Sequence, residues 1–327
     1  MRPRSVEELA AAVADAGRRG ARLLPVCMGS KAFMGPPVEY DELLELTSLP
    51  RELEVDDEEF VLRASACTPA AEVQEYLTKR DKRLALDPPL FEKSSVGGIV
   101  STNFYGPLAY RYMTPRDQLL SVRAVTGEGK TVKFGAPVMK DVAGYNLKRV
   151  LAGSWGTLAV ITEVYMRVYA LPDTVAVAVT TPRPLGEVRR LLPTAAAERN
   201  GVLYLRFEGV KSEVEYRLGK TKPAEVYYGA EAERMWRSVT SAEDLFSHEV
   251  VLKAVAPPAQ LPPPPRGAQY LRYPLLGVMF VAGASVEGAA VYQLKPPAKW
   301  ALENTDLMAR LKKIFDPRNV LSPGRFP

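Results

Sequence analysis

The chain has 327 residues, which at about 150 residues per domain is long enough for two domains. Its hydrophobic fraction of 47% and charged fraction of 25% are those of a globular protein, and they exclude collagen-like repeats and wholesale disorder. One histidine and two cysteines are too few for an ordinary zinc site, and the net charge of +5 is too diffuse for a nucleic-acid-binding stripe.

Two further features of the composition bear on where the protein works. No apolar run approaches the roughly 18 residues of a membrane-spanning helix, and the start, MRPRSVEELA, lacks the apolar core of a secretory signal. We therefore expect a cytoplasmic protein that reaches a membrane only through partners. With 28 prolines and few Asn and Gln residues, the composition is typical of a thermophilic source.

The first 172 residues combine short helices and strands. Ser5 begins a capping-box pattern, which predicts a helix that ends between Gly17 and Gly20. Apolar and β-branched runs predict strands at 22–27, 59–66 and 157–168, a hairpin at 118–134, and helices at 68–82 and 141–152. Thr68 is the expected N-cap of the second helix. The stretch 87–107 has little periodicity, and we assign neither helix nor strand to it.

The pattern changes after Leu171-Pro172, which we interpret as a domain boundary. Strands at 174–181 and 203–209 alternate with helices at 185–199 and 212–218, an order typical of a small α+β domain. A proline-rich loop at 257–265 precedes strands predicted at 270–281 and 289–294. A helix at 304–315 and the tail DPRNVLSPGRFP follow.

Three glycine-containing segments are candidates for holding a cofactor. The turn 27–31 follows a buried strand, and its backbone N–H groups could bind a phosphate, although an ordinary turn with a solvated lysine fits as well. In the segment 95–106, Gly97 and Gly98 permit close approach of a flat or extended ligand. The segment 153–157 fits a glycine C-cap equally well. No G-x-G-x-x-G or P-loop motif is present.

In order along the chain, these segments resemble the FAD-binding domain of the p-cresol methylhydroxylase/vanillyl-alcohol oxidase superfamily, and within it the FAD-binding subunits of glycolate oxidase. The agreement is closest over residues 1–172 and returns at the C-terminus. The matching motifs are P-x-G-G-G-[ST]-K at 25–31, I-G-G-x-V-x-T-N-x-x-G at 96–106, R-D-x-x-L with G-x-G at 116–129, F-G-x-x-V-M-K-[ND]-V-A-G-Y-[DN] at 134–146, G-S-x-G-T-L-x-V-[IL]-T-E at 153–163, and F-D-P-x-x-[IV]-[LF]-N-P-G-R at 315–325.

The resemblance implies an α+β protein in three parts. Residues 1–172 would form a two-subdomain FAD-binding domain, residues 173–302 a smaller ferredoxin-like cap over the isoalloxazine, and residues 303–327 a helix and tail that return to the first domain. No metal site is implied, because the His-rich motif of larger relatives needs more than one histidine. The cofactor contacts that the resemblance implies are Cys27, Met28, Gly29, Ser30, Lys31, Ser95, Val96, Gly97, Gly98, Thr102, Asn103, Gly106, Gly156, Thr157 and Ile161.

Three residues depart from the family pattern. Cys27 and Met28 replace glycines, and side chains there would crowd the pyrophosphate of FAD and weaken its binding. We interpret Cys27 as a small buried hydrophobe rather than as a reactive thiol. Ser322 replaces the Asn of N-P-G-R, which removes one polar contact expected near the flavin.

Oxidation of a 2-hydroxy acid by a flavin requires from the protein a cation for the carboxylate and a base for the hydroxyl. We choose Lys253 and Arg325 as the catalytic cations, with Arg272 as the alternative. The choice of base stays open. The candidates are His248, Tyr105, Tyr110 and Tyr145.

Three functional hypotheses follow from the resemblance. The first is an FAD-binding subunit of a glycolate oxidase-like dehydrogenase, which acts on a small organic acid beside a larger flavin subunit and an iron–sulfur subunit. Because this chain has no four-cysteine pattern, the cluster would lie on another chain. The second is a stand-alone FAD-dependent D-2-hydroxy-acid dehydrogenase. The third is an assembly subunit that has lost FAD.

Overall fold

A computed structural model describes residues 1–138, 146–298 and 300–326. Its helices are α1 (Val6–Arg19), α2 (Ala70–Thr78), α3 (Val96–Thr102), α4 (Ala109–Tyr112), α5 (Pro115–Gln118), α6 (Lys148–Leu151), α7 (Leu185–Arg190), α8 (Lys211–Thr221), α9 (Gly229–Ser241), α10 (Glu243–Ser247) and α11 (Thr305–Phe315). Its strands are β1 (Leu23–Val26), β2 (Glu42–Glu45), β3 (Leu53–Asp56), β4 (Val61–Ser65), β5 (Lys82–Arg83), β6 (Leu119–Thr126), β7 (Thr131–Gly135), β8 (Ala159–Arg167), β9 (Tyr169–Ala170), β10 (Thr174–Thr180), β11 (Ala195–Arg199), β12 (Val202–Gly209), β13 (Glu225–Tyr228), β14 (Val251–Val255), β15 (Gln269–Tyr273), β16 (Val278–Ala282) and β17 (Ala290–Lys295).

The described part of residues 1–172, the first part of the chain, contains two sheets with separate cores and a short two-stranded sheet of β5 and β9. Strands β1 and β2 pair in parallel, and α1 buries Leu9 and Val13 in the core beside them. A five-stranded antiparallel sheet has the order β3-β4-β8-β6-β7, and its central strand β8 is apolar and buried along most of its length. Helices α2 and α3 cover this sheet through Val73 and Ile99. The gap between the two cores is where the candidate site lies.

The cap is an antiparallel sheet of eight strands in the order β13-β10-β12-β11-β15-β16-β14-β17. Its first half follows β-α-β-β-α-β along the chain, from β10 through α7, β11, β12 and α8 to β13. In chain order these strands stand 4-1-3-2 across the sheet, which is the ferredoxin-like arrangement. The expected α+β class is therefore confirmed, and the sheet continues beyond its ferredoxin-like half with β14 to β17.

The cap and the first part share one hydrophobic core. One face of the cap sheet is covered by α7 and α8. The opposite face packs on α9 and α10, where Trp236 and Phe280 are fully buried, and on Phe104 and Leu108 from the first part. Three aromatic rings, those of Phe104, Phe246 and Phe280, lie 5.6 to 6.2 Å apart in this core. This packing fixes the position of the cap over the end of α3.

The segment after the cap returns to the first part. Leu321 forms a parallel bridge with Leu23 of β1, and Phe315 O accepts a hydrogen bond from Gly127 N of the β6–β7 turn. The buried Lys312 ammonium donates to Thr157 O and to Leu321 O, at 2.7 Å in each case. These contacts place residues 321–326 beside β1 and the start of β8.

Four predictions of secondary structure are wrong in detail. The helix predicted at 185–199 ends near Arg190 and is followed by β11, because Pro193 cannot donate a helical hydrogen bond. The segment 95–106, to which no helix was assigned, contains α3. The strand predicted at 270–281 is two strands joined by a turn at 274–277. Thr68 does not cap α2, since the residue at the N-cap is Pro69.

The helix predicted at 141–152 and the family motif at 138–146 fall largely outside the described residues, which omit 139–145. The described remainder of that segment holds α6. None of the helices within the described ranges is both long and apolar enough to cross a membrane.

Candidate cofactor site

A cavity opens between β1, α3 and the start of β8. It is bounded by three predicted segments and by the returning C-terminal tail. Its lining residues are Leu24, Pro25, Val26, Cys27, Met28, Gly29, Ser30, Lys31, Ala32, Leu46, Ala66, Ser95, Gly97, Gly98, Ser101, Thr102, Trp155, Gly156, Ala159, Val160, Ile161 and Arg325.

The loop after β1 supplies a buried cation to this cavity. Gly29 has a φ of +70°, a left-handed conformation that favours glycine and turns the chain back towards α3. Lys31 is only 6% exposed, and its ammonium donates to Ser94 Oγ and, at 3.3 Å, to Ser30 Oγ. Burial lowers the pKa of Lys31 to about 7, because it removes water from the ammonium and no carboxylate of the described residues pairs with it.

Cys27 is bonded to Cys67, which corrects the interpretation of Cys27 as a free, buried hydrophobe. The two Cα atoms are 5.3 Å apart, a normal separation for a disulfide. Cys67 precedes α2, so the bond ties the loop after β1 to the opposite subdomain. Met28, the other departure from the glycine pattern, lines the cavity while 40% exposed to solvent.

Helix α3 forms the second wall. Ser95 Oγ accepts a hydrogen bond from Gly98 N at 3.2 Å and so caps the helix. A Cβ on Gly97 would lie 2.5 Å from the Cβ of Ala66, so only glycine allows the helix to approach β4 this closely. A Cβ on Gly98 would meet only Ser95 Oγ, at 3.0 Å.

Four predicted cofactor residues do not line the cavity. Val96 is fully buried in the core under α3, and Thr157 Oγ1 donates to Ser154 O at 2.7 Å. Asn103 ends α3, where its side-chain oxygen accepts from Arg116 N at 3.0 Å. Gly106 packs so closely on Asp87 that a Cβ would lie 1.9 Å from Asp87 O. These residues support the wall from behind.

The third wall is the loop before β8 together with the C-terminal tail. Gly156 and Ile161, both predicted cofactor residues, line this wall. Trp155 lines it as well, although it was not among the predicted cofactor residues. Trp155 occupies the variable position of the G-S-x-G-T motif, directly before the selected residue Gly156, so the motif itself pointed to this loop. Its φ is +55°, which is rare for a bulky residue.

Arg325 reaches the cavity from the tail. The residue is 8% exposed, and its guanidinium lies 5.4 Å from the centre of the Trp155 ring. Its Nε makes no hydrogen bond within the described part of the chain, and burial lowers its pKa to about 10. Ser322 Oγ nearby is likewise buried without a partner. Buried donors of this kind ordinarily face a ligand or ordered water.

Lys253, the other predicted catalytic cation, lies on the cap strand β14. Its ammonium lies 5.8 Å from the ring centre of Phe104 and 5.3 Å from that of Tyr105, the two residues that follow α3 and Asn103. It forms no ion pair with any residue that the structure describes, and burial lowers its pKa to about 8. Lys253 does not line the cavity but faces the residues at its cap end.

The remaining catalytic candidates are placed less favourably. Arg272 is bound to Glu198 at 3.3 Å and donates to Leu261 O. His248 Nε2 lies 3.0 Å from Gln269 Oε1, and Tyr110 is 45% exposed. Tyr105 is partly buried beside Lys253, and burial raises its pKa. Tyr145 lies outside the described residues.

The chemistry of the cavity fits a dinucleotide with a pyrophosphate. Among the described lining residues the ionisable groups are two cations, Lys31 and Arg325, and none is a carboxylate. Its far end is apolar, with Leu46, Val160 and Ile161. The Nε of Arg325 is buried without a partner among the described residues, which fits a group that the protein itself does not supply. In the described ranges no cluster of His, Cys, Asp and Glu could hold a metal ion.

Comparison with known sequences agrees with this geometry. Residues 1–135 match the family described as FAD binding domain. The chain is 37% identical over 144 residues to glycolate oxidase subunit GlcE of Escherichia coli, which covers 44% of this chain and 41% of that protein. It is 32% identical over 173 residues to D-lactate dehydrogenase of Archaeoglobus fulgidus, which covers 52% of this chain and 38% of that protein. The chain thus spans about two fifths of the length of these relatives.

Comparison with solved structures extends the likeness in fold to nearly the whole chain. An alkyldihydroxyacetonephosphate synthase aligns over 99% of this chain and 75% of its own, with a TM-score of 0.69 and 21% identity. Glucooligosaccharide oxidase of Acremonium strictum aligns over 99% of this chain and 89% of its own, with a TM-score of 0.64 and 14% identity. Residues 1–135 are thus similar to the family described as FAD binding domain, and the likeness to these solved structures extends the similarity in fold to nearly the whole chain.

Proposed function

We propose that the chain is an FAD-binding subunit of a 2-hydroxy-acid dehydrogenase of the glycolate oxidase kind. The observation that carries the proposal is a cavity whose described lining has two buried cations and no carboxylate, together with a third, half-buried cation, Lys253, on the cap strand β14. The sequence relatives named for glycolate and D-lactate support the choice of a small 2-hydroxy acid as substrate.

In this proposal, different lining residues contact different parts of FAD. Lys31 and Arg325 neutralise the pyrophosphate, with Ser30 adding a neutral hydrogen bond. Gly97 and Gly98 leave room for the extended part of the cofactor, and the apolar end at Ile161 receives the adenine. When bound, FAD supplies the two-electron oxidation, and the protein supplies binding, orientation and electrostatics.

Lys253 and Tyr105 are the cap-side residues suited to the substrate. The Lys253 ammonium, free of carboxylate partners among the described residues, holds the carboxylate of a 2-hydroxy acid. Because burial raises the pKa of Tyr105, its hydroxyl keeps its proton at neutral pH and donates a hydrogen bond rather than acting as a base. Arg325 lines the cavity and stays assigned to the pyrophosphate.

Non-covalent attachment is part of the proposal. A related structure is titled for an FAD carried on cysteine and histidine side chains. In this chain Cys27 is bonded to Cys67, and His248 is hydrogen-bonded to Gln269 without lining the cavity. The same disulfide supports a partner-supplied iron–sulfur centre, since both cysteines of the chain are used.

We propose a cytoplasmic location, with a larger flavin subunit as partner and any membrane contact made through the complex. A disulfide is unusual in a reducing cytosol, but it is common inside the cells of hyperthermophiles. The bond therefore agrees with the thermophilic source that the composition predicts.

The visible spectrum of the chain purified alone tests the proposal. We expect flavin absorption bands, either on purification or after addition of FAD, and release of the flavin on denaturation. Bleaching by glycolate or D-lactate under anaerobic conditions, without partners, would favour the stand-alone dehydrogenase. A chain that binds no FAD under either condition would contradict the proposal and favour the assembly subunit.

A further inference from the structure

Trp155 stands out among the residues of the cavity because its backbone is strained. Its φ of +55° is a left-handed conformation that is strained for a bulky residue. The conformation is held by Trp155 N, which donates to Ser101 O of α3 at 2.8 Å, and by glycines on both sides of the Ser154-Trp155 pair. The structure thus holds this indole in one place at the cavity wall.

The indole lies where the cavity meets the cap. Its ring centre is 5.5 Å from that of Trp300, which belongs to the cap, and 6.4 Å from that of Phe326 in the tail, with both pairs nearly perpendicular. Of the three rings, Trp155 lines the cavity, whereas Trp300 and Phe326 do not. The Arg325 guanidinium lies over the Trp155 ring. The Trp155 indole therefore presents one fixed aromatic surface to the cavity, on the side that adjoins the cap.

We infer that Trp155 is a positioning residue whose indole stacks against the isoalloxazine of bound FAD, with Arg325 holding the indole from the other side. The inference rests on the proposed function, and it assigns a role to a residue that the family motif leaves variable. Aromatic stacking on a flat heterocycle explains why the chain tolerates the strain at this position, where a glycine would be unstrained.

Flavin fluorescence tests this assignment separately from activity. A tryptophan in contact with a flavin quenches its emission by electron transfer, which phenylalanine does not do. Trp155→Leu should raise the dissociation constant for FAD about tenfold and restore emission from the flavin that remains bound. Trp155→Phe should keep the affinity within about threefold, yet also restore emission. Trp300→Phe is the matched control, and it should leave the emission quenched.

The outcomes separate the inference from the proposed function. If the wild-type chain binds FAD and both Trp155 variants retain its affinity and its quenched emission, the inference is wrong and the proposed function stands. If Trp300→Phe restores emission and Trp155→Phe does not, the quenching ring is Trp300 and the inference is wrong. If the wild-type chain binds no FAD, both fail. Circular dichroism of the Trp155→Phe chain verifies that the fold is kept.

Discussion

Arg83 on β5 and Glu208 on the cap strand β12 form a two-pronged ion pair, with Nη1–Oε1 at 2.6 Å and Nη2–Oε2 at 2.7 Å. Both side chains are at least 94% buried. Tyr112 donates to Glu208 as well, at 2.7 Å. Burial alone would raise the pKa of Glu208, but the hydrogen bonds from Arg83 and the charge of Arg206 outweigh it and hold that pKa at about 2. This pair joins the first part of the chain to the cap.

We expect Glu208→Gln to destabilise the folded chain by about 3–5 kcal/mol, because it leaves Arg83 buried without its carboxylate and Arg206 with Glu233 alone. Urea unfolding at pH 7 measures the change. Glu75→Gln is the control, since Glu75 and its partner Lys79 are both exposed and their pair contributes little. Equal unfolding midpoints for the two variants would contradict the assigned role of the buried pair.

Lys253 should make substrate binding depend on pH. Its pKa of about 8 is below the ordinary 10.5, so the ammonium that holds the carboxylate is lost as pH rises through about 8. We expect KM for a 2-hydroxy acid to rise above that pH, while kcat changes less. Lys253→Arg should abolish this rise, because arginine stays charged. Lys253→Met should give a raised KM at every pH. A pH-dependent KM that persists in Lys253→Arg would assign the titration to another group.

The two glycines of α3 should respond differently to alanine. In Gly97→Ala the new methyl meets the backbone and Cβ of Ala66, which cannot move aside, so we expect a loss of about 1–3 kcal/mol in the free energy of unfolding. In Gly98→Ala the methyl meets only the Ser95 hydroxyl, so the fold should persist while FAD binding weakens. Thermal unfolding and FAD titration of both variants check this pair of expectations. A Gly98→Ala chain with wild-type FAD affinity would show that Gly98 is not near the cofactor.

Reduction of the Cys27–Cys67 bond should destabilise the chain. The bond spans a sequence separation of 40, and loop-closure entropy for that length gives about 4 kcal/mol. We expect dithiothreitol to lower the unfolding midpoint in urea and to weaken FAD binding, since Cys27 begins the loop that holds Lys31. The Cys27→Ser, Cys67→Ser double variant should show both effects without the reductant and should not respond to it. Wild-type unfolding that is insensitive to reduction would mean that the bond does not form in solution.

Local patterns predicted most of the fold, but long-range partners decided the rest. The start of α1 at Ser5 and the β6–β7 turn were predicted correctly, because capping and turn signals act between near neighbours in the sequence. The helix α3 was missed because its glycines weaken any helical pattern, and it is stabilised instead by packing on Ala66. The disulfide could not be predicted from two cysteines 40 residues apart, since their proximity depends on the tertiary fold.

The candidate site was predicted in outline through the family motifs rather than through local chemistry. The loop at Lys31 and the segment at Gly97 meet because β1 and α3 belong to adjacent subdomains. No local sequence pattern predicts that contact. Trp155 was overlooked because its position in the motif is variable. Its strained φ and its contact with Arg325 are visible only in three dimensions.

The return of the C-terminal tail bears on the timing of assembly in the cell. Arg325 is the last of the lining residues along the chain, and the one before it is Ile161. The cavity is therefore complete only after the 164 residues that follow Ile161 have been synthesised. At about 5–20 residues per second, the growing chain spends roughly 10 to 30 seconds with two walls complete and the third without its tail residue, Arg325. We expect cofactor capture to follow translation rather than accompany it, with the finished tail closing behind the nucleotide.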